Sequence, residues 1–252
     1  MKKALFALLA LGGIFALPSC NSSKQETTPA PEWVTITIGL RPGYETGTIG
    51  PATKALGDDI TATLPTAMSL SLTNKANGDT YDLTTGQPFR IPTGTYSVAG
   101  RTDPAPYQFI YDPTHYASRE PLVVVEDEVT ITAEAGTYYV AAGYRCFVVG
   151  VNNGEVSHWT LRSGTMWPEV ARLDGTTAGW IFVIGDFDAE HPLQTKVTFP
   201  DGTEQEYKFY TRDLQAGGIL AQYGRWYILR QAGGTPQYGN IGLTFPEWTA
   251  GN

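Results

Sequence analysis

The chain has 252 residues, enough for one large domain or two small ones. Its 17 lysines and arginines against 25 aspartates and glutamates give a net charge of −8, and no basic cluster is present, which excludes a protein that binds nucleic acid phosphates. With 42% hydrophobic and only 17% charged residues, the composition is that of a globular protein. The 28 glycines and 17 prolines, together with 14 tyrosines and many threonines and valines, favour many short strands joined by tight turns.

Residues 1–19 have the order of a secretory signal: a basic start at Lys2-Lys3, an apolar run from Ala4 to Leu17, and a small residue before Cys20. The run of about 14 residues is too short to span a bilayer. The motif Leu17-Pro18-Ser19-Cys20 resembles the bacterial lipobox, in which the cysteine thiol is acylated and the peptide is cut just before it. We therefore expect Cys20 to be the lipid-bearing N-terminus, modified with palmitate; the alternative is a plain secretory signal with a chance cysteine.

Residues 20–32 are predicted to be a tether between this lipid and a folded body. The stretch NSSKQETTPAPE is polar, rich in proline and threonine, and without apolar periodicity, so it cannot bury a core. The other cysteine, Cys146, has no intramolecular partner once Cys20 is acylated, so we expect no disulfide framework. Cys146 lies in the apolar run Cys146-Phe147-Val148-Val149 and is predicted to be a buried hydrophobe rather than a nucleophile.

The first part of the body, residues 33–143, is predicted to be a β-sandwich. Apolar and polar residues alternate from Trp33 to Leu40 and again from Ala67 to Asn74, which is the period of half-buried strands. Asn77-Gly78 is a favoured hairpin turn. No stretch between residues 33 and 142 has convincing helical spacing, and strands recur about every 10 residues, as in a sandwich.

A second β-sandwich is predicted over residues 144–252, with the boundary near Gly143. Val156–Leu161 alternates, Trp180–Ile184 is an apolar run of the buried type, and Pro200-Asp201-Gly202-Thr203 reads as a hairpin turn. The predicted fold class is therefore all-β, with two tandem immunoglobulin- or transthyretin-like β-sandwich domains after a lipoprotein signal peptide.

Residues suited to catalysis are few. The histidines are His115, His158 and His191, and the sequence contains no G-x-S-x-G, H-E-x-x-H or paired C-x-x-C motif. We predict a protein that is not an enzyme and has no cofactor and no metal; an enzyme would be reconsidered only if His158 or His191 met a carboxylate in a cleft. The acidic run Asp186–His191 could begin a calcium loop, but it lacks the central glycine and the glutamate at the twelfth position, so we expect a solvated loop.

The tryptophans offer a candidate for ligand contact. Trp180 and Trp226 lie in strongly apolar segments and are predicted to be core residues. Trp159 and Trp167 lie beside the polar Ser163-Gly164 pair and are the candidates for an exposed pair that stacks on sugar rings. The alternative is that both indoles are buried, because a small sandwich without disulfides needs large core residues.

Several short motifs run through the chain: Pro51-Ala52-Thr53-Lys54-Ala55, then Leu70-Ser71-Leu72-Thr73-Asn74 with Ile91-Pro92-Thr93-Gly94-Thr95-Tyr96-Ser97-Val98, and finally Gly224-Arg225-Trp226-Tyr227-Ile228-Leu229 with Ile241-Gly242-Leu243-Thr244-Phe245. Together they resemble the fimbrillin-like, major-fimbrium type of two-domain surface lipoprotein of Gram-negative anaerobes. The resemblance implies a cell-surface subunit that is delivered as a lipoprotein and takes part in a fimbria or a similar assembly.

Members of this family that polymerise are cut by a trypsin-like protease after an arginine beyond the first strand, and the vacated groove accepts a strand of the next subunit. Arg41 is the only arginine between Trp33 and Phe89, so it matches that processing site by position. Pro42 follows it, and a proline after the cut bond usually blocks such proteases. An anchor or accessory subunit that keeps its lipid therefore fits better than a main stalk subunit.

We therefore predict a non-catalytic lipoprotein of the outer membrane that faces the cell surface rather than the periplasm and acts in a fimbrium or in cell adhesion. Its expected partners are the membrane, through the lipid anchor, and other fimbrial subunits or glycans. The alternative is a glycan-binding surface lipoprotein associated with nutrient uptake. A terminal strand from Gly239 to Phe245 at a sheet edge would favour the fimbrial prediction, and burial of the late tryptophans would count against glycan binding.

Overall fold

The computed structural model describes residues 32–43, 61–63, 67–152, 156–166, 178–229, 237–240 and 242–244. Within these ranges every regular element is a strand, which confirms the predicted all-β class for this part of the chain. No helix in the same ranges is long and apolar enough to cross a membrane. The predicted signal peptide lies outside them, and so does the predicted tether except for Glu32.

The strands are β1 (Trp33–Pro42), β2 (Thr61–Thr63), β3 (Ser69–Asn74), β4 (Thr80–Thr84), β5 (Phe89–Pro92), β6 (Gly94–Arg101), β7 (Pro106–Phe109), β8 (Tyr116–Ser118), β9 (Val123–Ile131), β10 (Gly136–Tyr144), β11 (Cys146–Asn152), β12 (His158–Leu161), β13 (Ala178–Ile184), β14 (Leu193–Thr198), β15 (Glu204–Tyr210), β16 (Ile219–Leu220), β17 (Arg225–Leu229), β18 (Gln237–Asn240) and β19 (Gly242–Thr244).

The largest sheet has seven strands in the order β4-β3-β6-β9-β10-β1-β5. Its pairs are antiparallel except β1 with β10, which run parallel. The alternation that predicted β1 is confirmed, because Val34, Ile36 and Ile38 all point into the core. The predicted hairpin turn between β3 and β4 is also present, and Gly78 has the positive φ, 78°, that such a turn needs.

This sheet curls over its own apolar face. The edge strands β4 and β5 are joined by only residues 85–88, which can span about 18 Å, whereas seven strands laid flat would separate the two edges by about 29 Å. The short link crosses the opening, and the Gly86 N–H donates to the Ile38 carbonyl at 3.0 Å. The enclosed space holds Tyr96, whose hydroxyl donates to the Pro92 carbonyl at 2.7 Å.

The second sheet has six strands in the order β18-β17-β11-β13-β8-β7, and its central strands are buried on both faces. In β11, Cys146 and Val148 belong to the same apolar cluster as the core of the seven-stranded sheet, while Phe147 and Val149 belong to a second cluster. Burial on both faces explains why this segment is a continuous apolar run in the sequence.

The second cluster is covered by a sheet of four strands in the order β12-β14-β15-β16. The predicted hairpin between β14 and β15 is confirmed, and Gly202 takes the positive φ, 83°, in its turn. A parallel pair of short strands, β2 and β19, completes the described structure. The predicted terminal strand is divided: residues up to Asn240 lie in the edge strand β18, residues 242–244 pair with β2, and Phe245 lies outside the described residues.

The hairpin of β7 and β8 precedes the predicted boundary near Gly143, yet it joins the six-stranded sheet. Ser118 and Tyr116 of β8 pair with Phe182 and Ile184 of β13. Pairing between segments so far apart in the sequence leaves no local pattern that could reveal it. The division into domains 33–143 and 144–252 stays a prediction, with this hairpin reaching across it.

Candidate functional site

Trp159 is not available to a ligand in this structure. Its side chain is 1% exposed, and its indole N–H donates to the Thr195 hydroxyl at 2.6 Å. The Thr195 hydroxyl donates in turn to the Thr160 carbonyl at 2.8 Å, so the indole ends a buried chain of hydrogen bonds. The prediction that Trp159 is exposed is wrong, because the alternation of β12 turns Trp159 and Leu161 inward together. Trp167, its predicted companion, lies outside the described residues.

The other described late tryptophans agree with their predicted core positions. Trp226 is buried in β17, and Trp180 is half-buried in β13 with its ring edge-on to Phe182 at 5.2 Å between centroids. Trp248, like Trp167, lies outside the described residues.

An open cleft of about 1000 Å³ is lined by several charged and polar side chains. Its lining includes Arg101 from the first part of the body, residues 33–143, and Arg145, Asp186, Arg212 and Tyr223 from the second. Two histidines, His115 and His191, also line it. These side chains are far apart in the sequence, so local sequence motifs could not reveal that they line one cleft.

His115 joins the turn between β7 and β8 to the loop after β13. Its Nε2 lies 2.8 Å from the Asp186 carbonyl, and its Nδ1 lies 3.0 Å from the Asp112 carboxylate. Gly185 packs so closely that an added Cβ would lie 2.8 Å from the imidazole, and its φ of 126° also favours glycine. Both ring nitrogens have protein partners, so His115 serves as a structural bridge between the two segments.

His191 lies near a carboxylate in this cleft, which is the arrangement that would make an enzyme a candidate again. Its Nδ1 lies 3.8 Å from Asp188 Oδ1, which is beyond hydrogen-bond distance. That oxygen already accepts the backbone N–H groups of His191, at 2.8 Å, and Glu190, at 3.0 Å. The lining residues that the structure describes include no serine or cysteine, and the hydroxyl of Thr114, which does line the cleft, donates to the Asp112 carboxylate at 2.6 Å. His158, the other candidate, is exposed on β12.

The acidic loop at 186–191 is held by protein groups rather than arranged around a cation. The Asp186 carboxylate accepts from the Tyr223 hydroxyl and from Arg212, and Phe187 is fully buried. The hydrogen bond from Tyr223, followed by that from Arg212, holds the pKa of Asp186 below its usual value, while burial raises the pKa of Tyr223. Among the described residues, no group of three or more histidine, cysteine, aspartate or glutamate side chains could hold a metal ion.

We expect Asp186→Asn to lower the free energy of unfolding at pH 7 by about 1 kcal/mol, since the carboxylate is partly exposed and screened. The folded pKa of Asp186 is lowered, so its stabilisation is present above the unfolded pKa and is lost as the pH falls through the folded value. The difference from the wild type should therefore shrink below about pH 4 in urea unfolding curves. Glu190→Gln, an exposed change in the same loop, is the matched control for loss of a charge; a pH-independent loss for Asp186→Asn would contradict the assignment.

Arg41 lies near the end of β1, inside the ladder rather than in an open loop. Its backbone pairs with Ala141 of β10, Pro42 pairs with Ala142, and the Gly43 N–H donates to the Ala142 carbonyl at 2.8 Å. The guanidinium lies 3.5 Å from the Asp127 carboxylate. A protease must take the scissile segment into its own cleft, so cleavage after Arg41 would need this part of β1 to open.

Trypsin digestion of the folded chain should leave the Arg41–Pro42 bond intact. Because both the paired strand and the proline oppose cleavage, Pro42→Ala should also resist cleavage while folded and should be cut only in denaturant. The N-termini of the fragments, read by mass spectrometry, give the answer. A new N-terminus at residue 42 in the folded wild-type chain would show that Arg41 is a processing site after all.

The comparisons with known proteins concern the fold alone. No protein-family model matches the sequence, and none of the curated proteins matches it. Among solved structures, the chain is similar to the C-terminally truncated tip fimbrial protein Mfa3 of Porphyromonas gingivalis, at 10% identity and a TM-score of 0.46 over 84% of this chain and 100% of that one. It is also similar to a candidate cell adhesion protein of Bacteroides eggerthii, at 12% identity and a TM-score of 0.40 over 79% of this chain and 85% of that one.

A third similar structure is the fimbrial anchor protein Mfa2 of Porphyromonas gingivalis, at 10% identity and a TM-score of 0.29 over 80% of this chain and 91% of that one. Two of these three are fimbrial proteins. At these identities and TM-scores the similarities carry no argument about the activity or partners of this chain.

Proposed function

We propose that this chain is a non-catalytic, lipid-anchored subunit of the outer membrane that faces the cell surface and serves as a fimbrial anchor, accessory or adhesion subunit. The observation that carries the proposal is the segment from Lys2 to Glu32: a leader, a lipobox-like cysteine at Cys20 and a polar stretch that ends where β1 begins. This order attaches a folded body to a membrane through the lipid at its N-terminus.

The polar residues of the body support a scaffold rather than an enzyme. The His115 imidazole joins its own turn to the backbone carbonyl of Asp186 across the cleft. The Asp188 oxygen that lies closest to His191 accepts backbone N–H groups of its own loop. Binding and assembly depend on the shape of the exposed surface, which the packed sheets supply. Catalysis instead needs several polar side chains that converge on a substrate and are not already used in structural hydrogen bonds.

The preference for a subunit that keeps its lipid rests on Arg41. Its place in the ladder with β10 and the proline after it both oppose the cut that would release the N-terminal segment. A chain that is not cut there stays attached to whatever Cys20 carries, as an anchor or accessory subunit requires.

Glycan binding is the competing function, and no described residue favours it at the predicted position. Trp159 is buried, Trp226 is buried, and Trp180 is half-buried. Glycan binding is therefore kept as an outcome of the test and not as a second proposal.

The test compares surface filaments from cells that make the chain with those from cells in which it is deleted. We expect the chain to co-purify with filaments after detergent extraction, and its deletion to release filaments into the medium or reduce their number. A soluble chain that begins at Asn21 should give no signal on a glycan array. Clear glycan binding, with the chain missing from filaments, would overturn the fimbrial proposal in favour of a glycan-binding lipoprotein.

A further inference from the structure

Trp33 is the one tryptophan that is exposed among the four whose side chains the structure describes. Its side chain is 49% exposed, although it is the first residue of β1 and begins the largest sheet. A single exposed apolar residue is ordinary on a protein surface and by itself needs no explanation. What sets Trp33 apart is how firmly the exposed ring is held and where the chain enters the fold.

The indole of Trp33 is held in place by neighbours on two other strands. The guanidinium carbon of Arg90 lies 5.7 Å from the ring centroid, and the ring of Tyr81 meets the indole edge-on at 6.4 Å. Tyr81 is itself edge-on to Tyr96 at 6.0 Å, and Tyr96 is fully buried. A row of three aromatic rings thus connects the exposed indole to the core, so the ring is presented in a fixed orientation.

Trp33 marks the end of the body nearest to Cys20 along the chain. Pro92, the last residue of β5, pairs with Trp33, and the Thr93 N–H donates to the Glu32 carbonyl at 2.7 Å. Gly94 then begins β6 and pairs with Ile131, the last residue of β9. Because these strands begin or end together, the turns at 75–79 and 132–135 lie at the same end of the seven-stranded sheet as Trp33.

We propose that this end of the body rests on the membrane that holds the Cys20 lipid, with the Trp33 indole in the headgroup layer. The proposal rests on the lipid anchor of the proposed function. The twelve residues between Cys20 and Trp33 limit the distance between the lipid and Trp33 to about 45 Å even when fully extended, so the body stays close to the lipid surface. Indoles concentrate at membrane interfaces, because the ring is apolar and its N–H needs a polar partner.

The charges at this end show that the indole, rather than electrostatics, would make the contact. Lys75 forms an ion pair with Glu128, and Arg90 is offset by three further exposed carboxylates, those of Glu32, Asp79 and Glu134. The exposed residues at the two turns include Ala76, Ala133 and Ala135, which present no charge to the lipid. The contact should therefore form on vesicles of uncharged phosphatidylcholine and should depend little on salt.

The test attaches a synthetic lipid to Cys20 in place of the acyl groups that cells would attach. A soluble chain that begins at Cys20 is coupled through that thiol to a maleimide lipid in phosphatidylcholine vesicles that contain brominated acyl chains, which quench nearby indoles. Cys146 should not compete, because it is buried and its pKa is raised by burial to about 12. A chain with Cys20→Ser should fail to couple and serves as the unattached control.

We expect coupling to quench about one-sixth of the tryptophan fluorescence, the share of one indole among six. Trp33→Phe should abolish that quenching, whereas Trp180→Phe should retain it; circular dichroism checks that both variants fold. Equal quenching of the wild type and Trp33→Phe, or no quenching of either, would overturn the proposal. So would a glycan-array signal that Trp33→Phe removes, since that result would assign the indole to sugar recognition.

Failure of this test and failure of the proposed function can be told apart. The maleimide lipid attaches the chain whether or not cells acylate Cys20, so an unquenched Trp33 would leave the lipoprotein assignment untouched. Conversely, an unmodified Cys20 in cells would remove the reason for the contact, even if the coupled chain showed quenching.

Discussion

Replacing Trp159 with alanine should lower the free energy of unfolding by about 3–5 kcal/mol, a loss typical of a fully buried aromatic side chain. The indole is among the largest fully buried side chains, and its removal leaves a cavity beneath the four-stranded sheet. The substitution also removes the hydrogen bond to the Thr195 hydroxyl, which is itself fully buried. Urea unfolding of a soluble chain that begins at Asn21 would measure the loss.

Two further variants separate the energetic cost of the cavity from that of the lost hydrogen bond. Trp159→Phe keeps most of the volume but removes the N–H donor, so it should cost about 1–3 kcal/mol. Trp33→Ala removes an indole of the same size from the surface and should cost about 1 kcal/mol or less. If Trp159→Ala were no more costly than Trp33→Ala, Trp159 would have to be exposed, and its role as a ligand contact would have to be reconsidered.

Replacing Gly150 with valine should cost about 2–3 kcal/mol or prevent folding, because no space exists for a side chain in the middle of β11. An added Cβ would lie 2.8 Å from Trp180 Cβ, 2.9 Å from the Gly179 carbonyl oxygen and 2.9 Å from Ile228 Cδ1. Two of these three atoms belong to backbone or lie next to it in the paired strand, so they cannot move aside without disturbing the ladder.

Gly150→Ala is the milder variant, and it should remain folded with a smaller but measurable loss. Gly136→Ala and Gly136→Val are the matched controls: Gly136 also lies in a strand, but an added Cβ there meets nothing within 4 Å. Thermal unfolding of the four chains should separate the two positions clearly. Equal melting temperatures for changes at Gly150 and Gly136 would contradict the packing of β11 between β13 and β17.

The parts of the fold that were predicted from sequence are those specified by neighbouring residues. The alternation in β1 and β3 and the glycines of the two hairpin turns, Gly78 and Gly202, are local signals, and the structure confirms them. The apolar run at Cys146–Val149 correctly indicated burial. It could not indicate that the two faces of β11 serve different cores, because only the long-range order of the sheets decides that.

The error at Trp159 had a local signal that could have prevented it. Trp159 and Leu161 share one face of β12, and the polar Ser163-Gly164 pair that suggested exposure belongs to the turn beyond the strand. The bridge from Asp112 through His115 to Asp186 had no such signal, since its ends are 74 residues apart in the sequence and meet only through the pairing of β8 with β13. Exposure of Trp33 likewise depends on which strands flank β1.

The identity of the N-terminal residue is the most direct test of a lipid-anchored surface subunit. The measurement is the intact mass and N-terminal peptide mass of the chain extracted with detergent from outer membranes. We predict a chain that begins at Cys20 and is heavier than its sequence by the mass of the attached acyl groups. A chain that begins elsewhere, or that begins at an unmodified Cys20, would contradict the lipid anchor on which the proposed function rests.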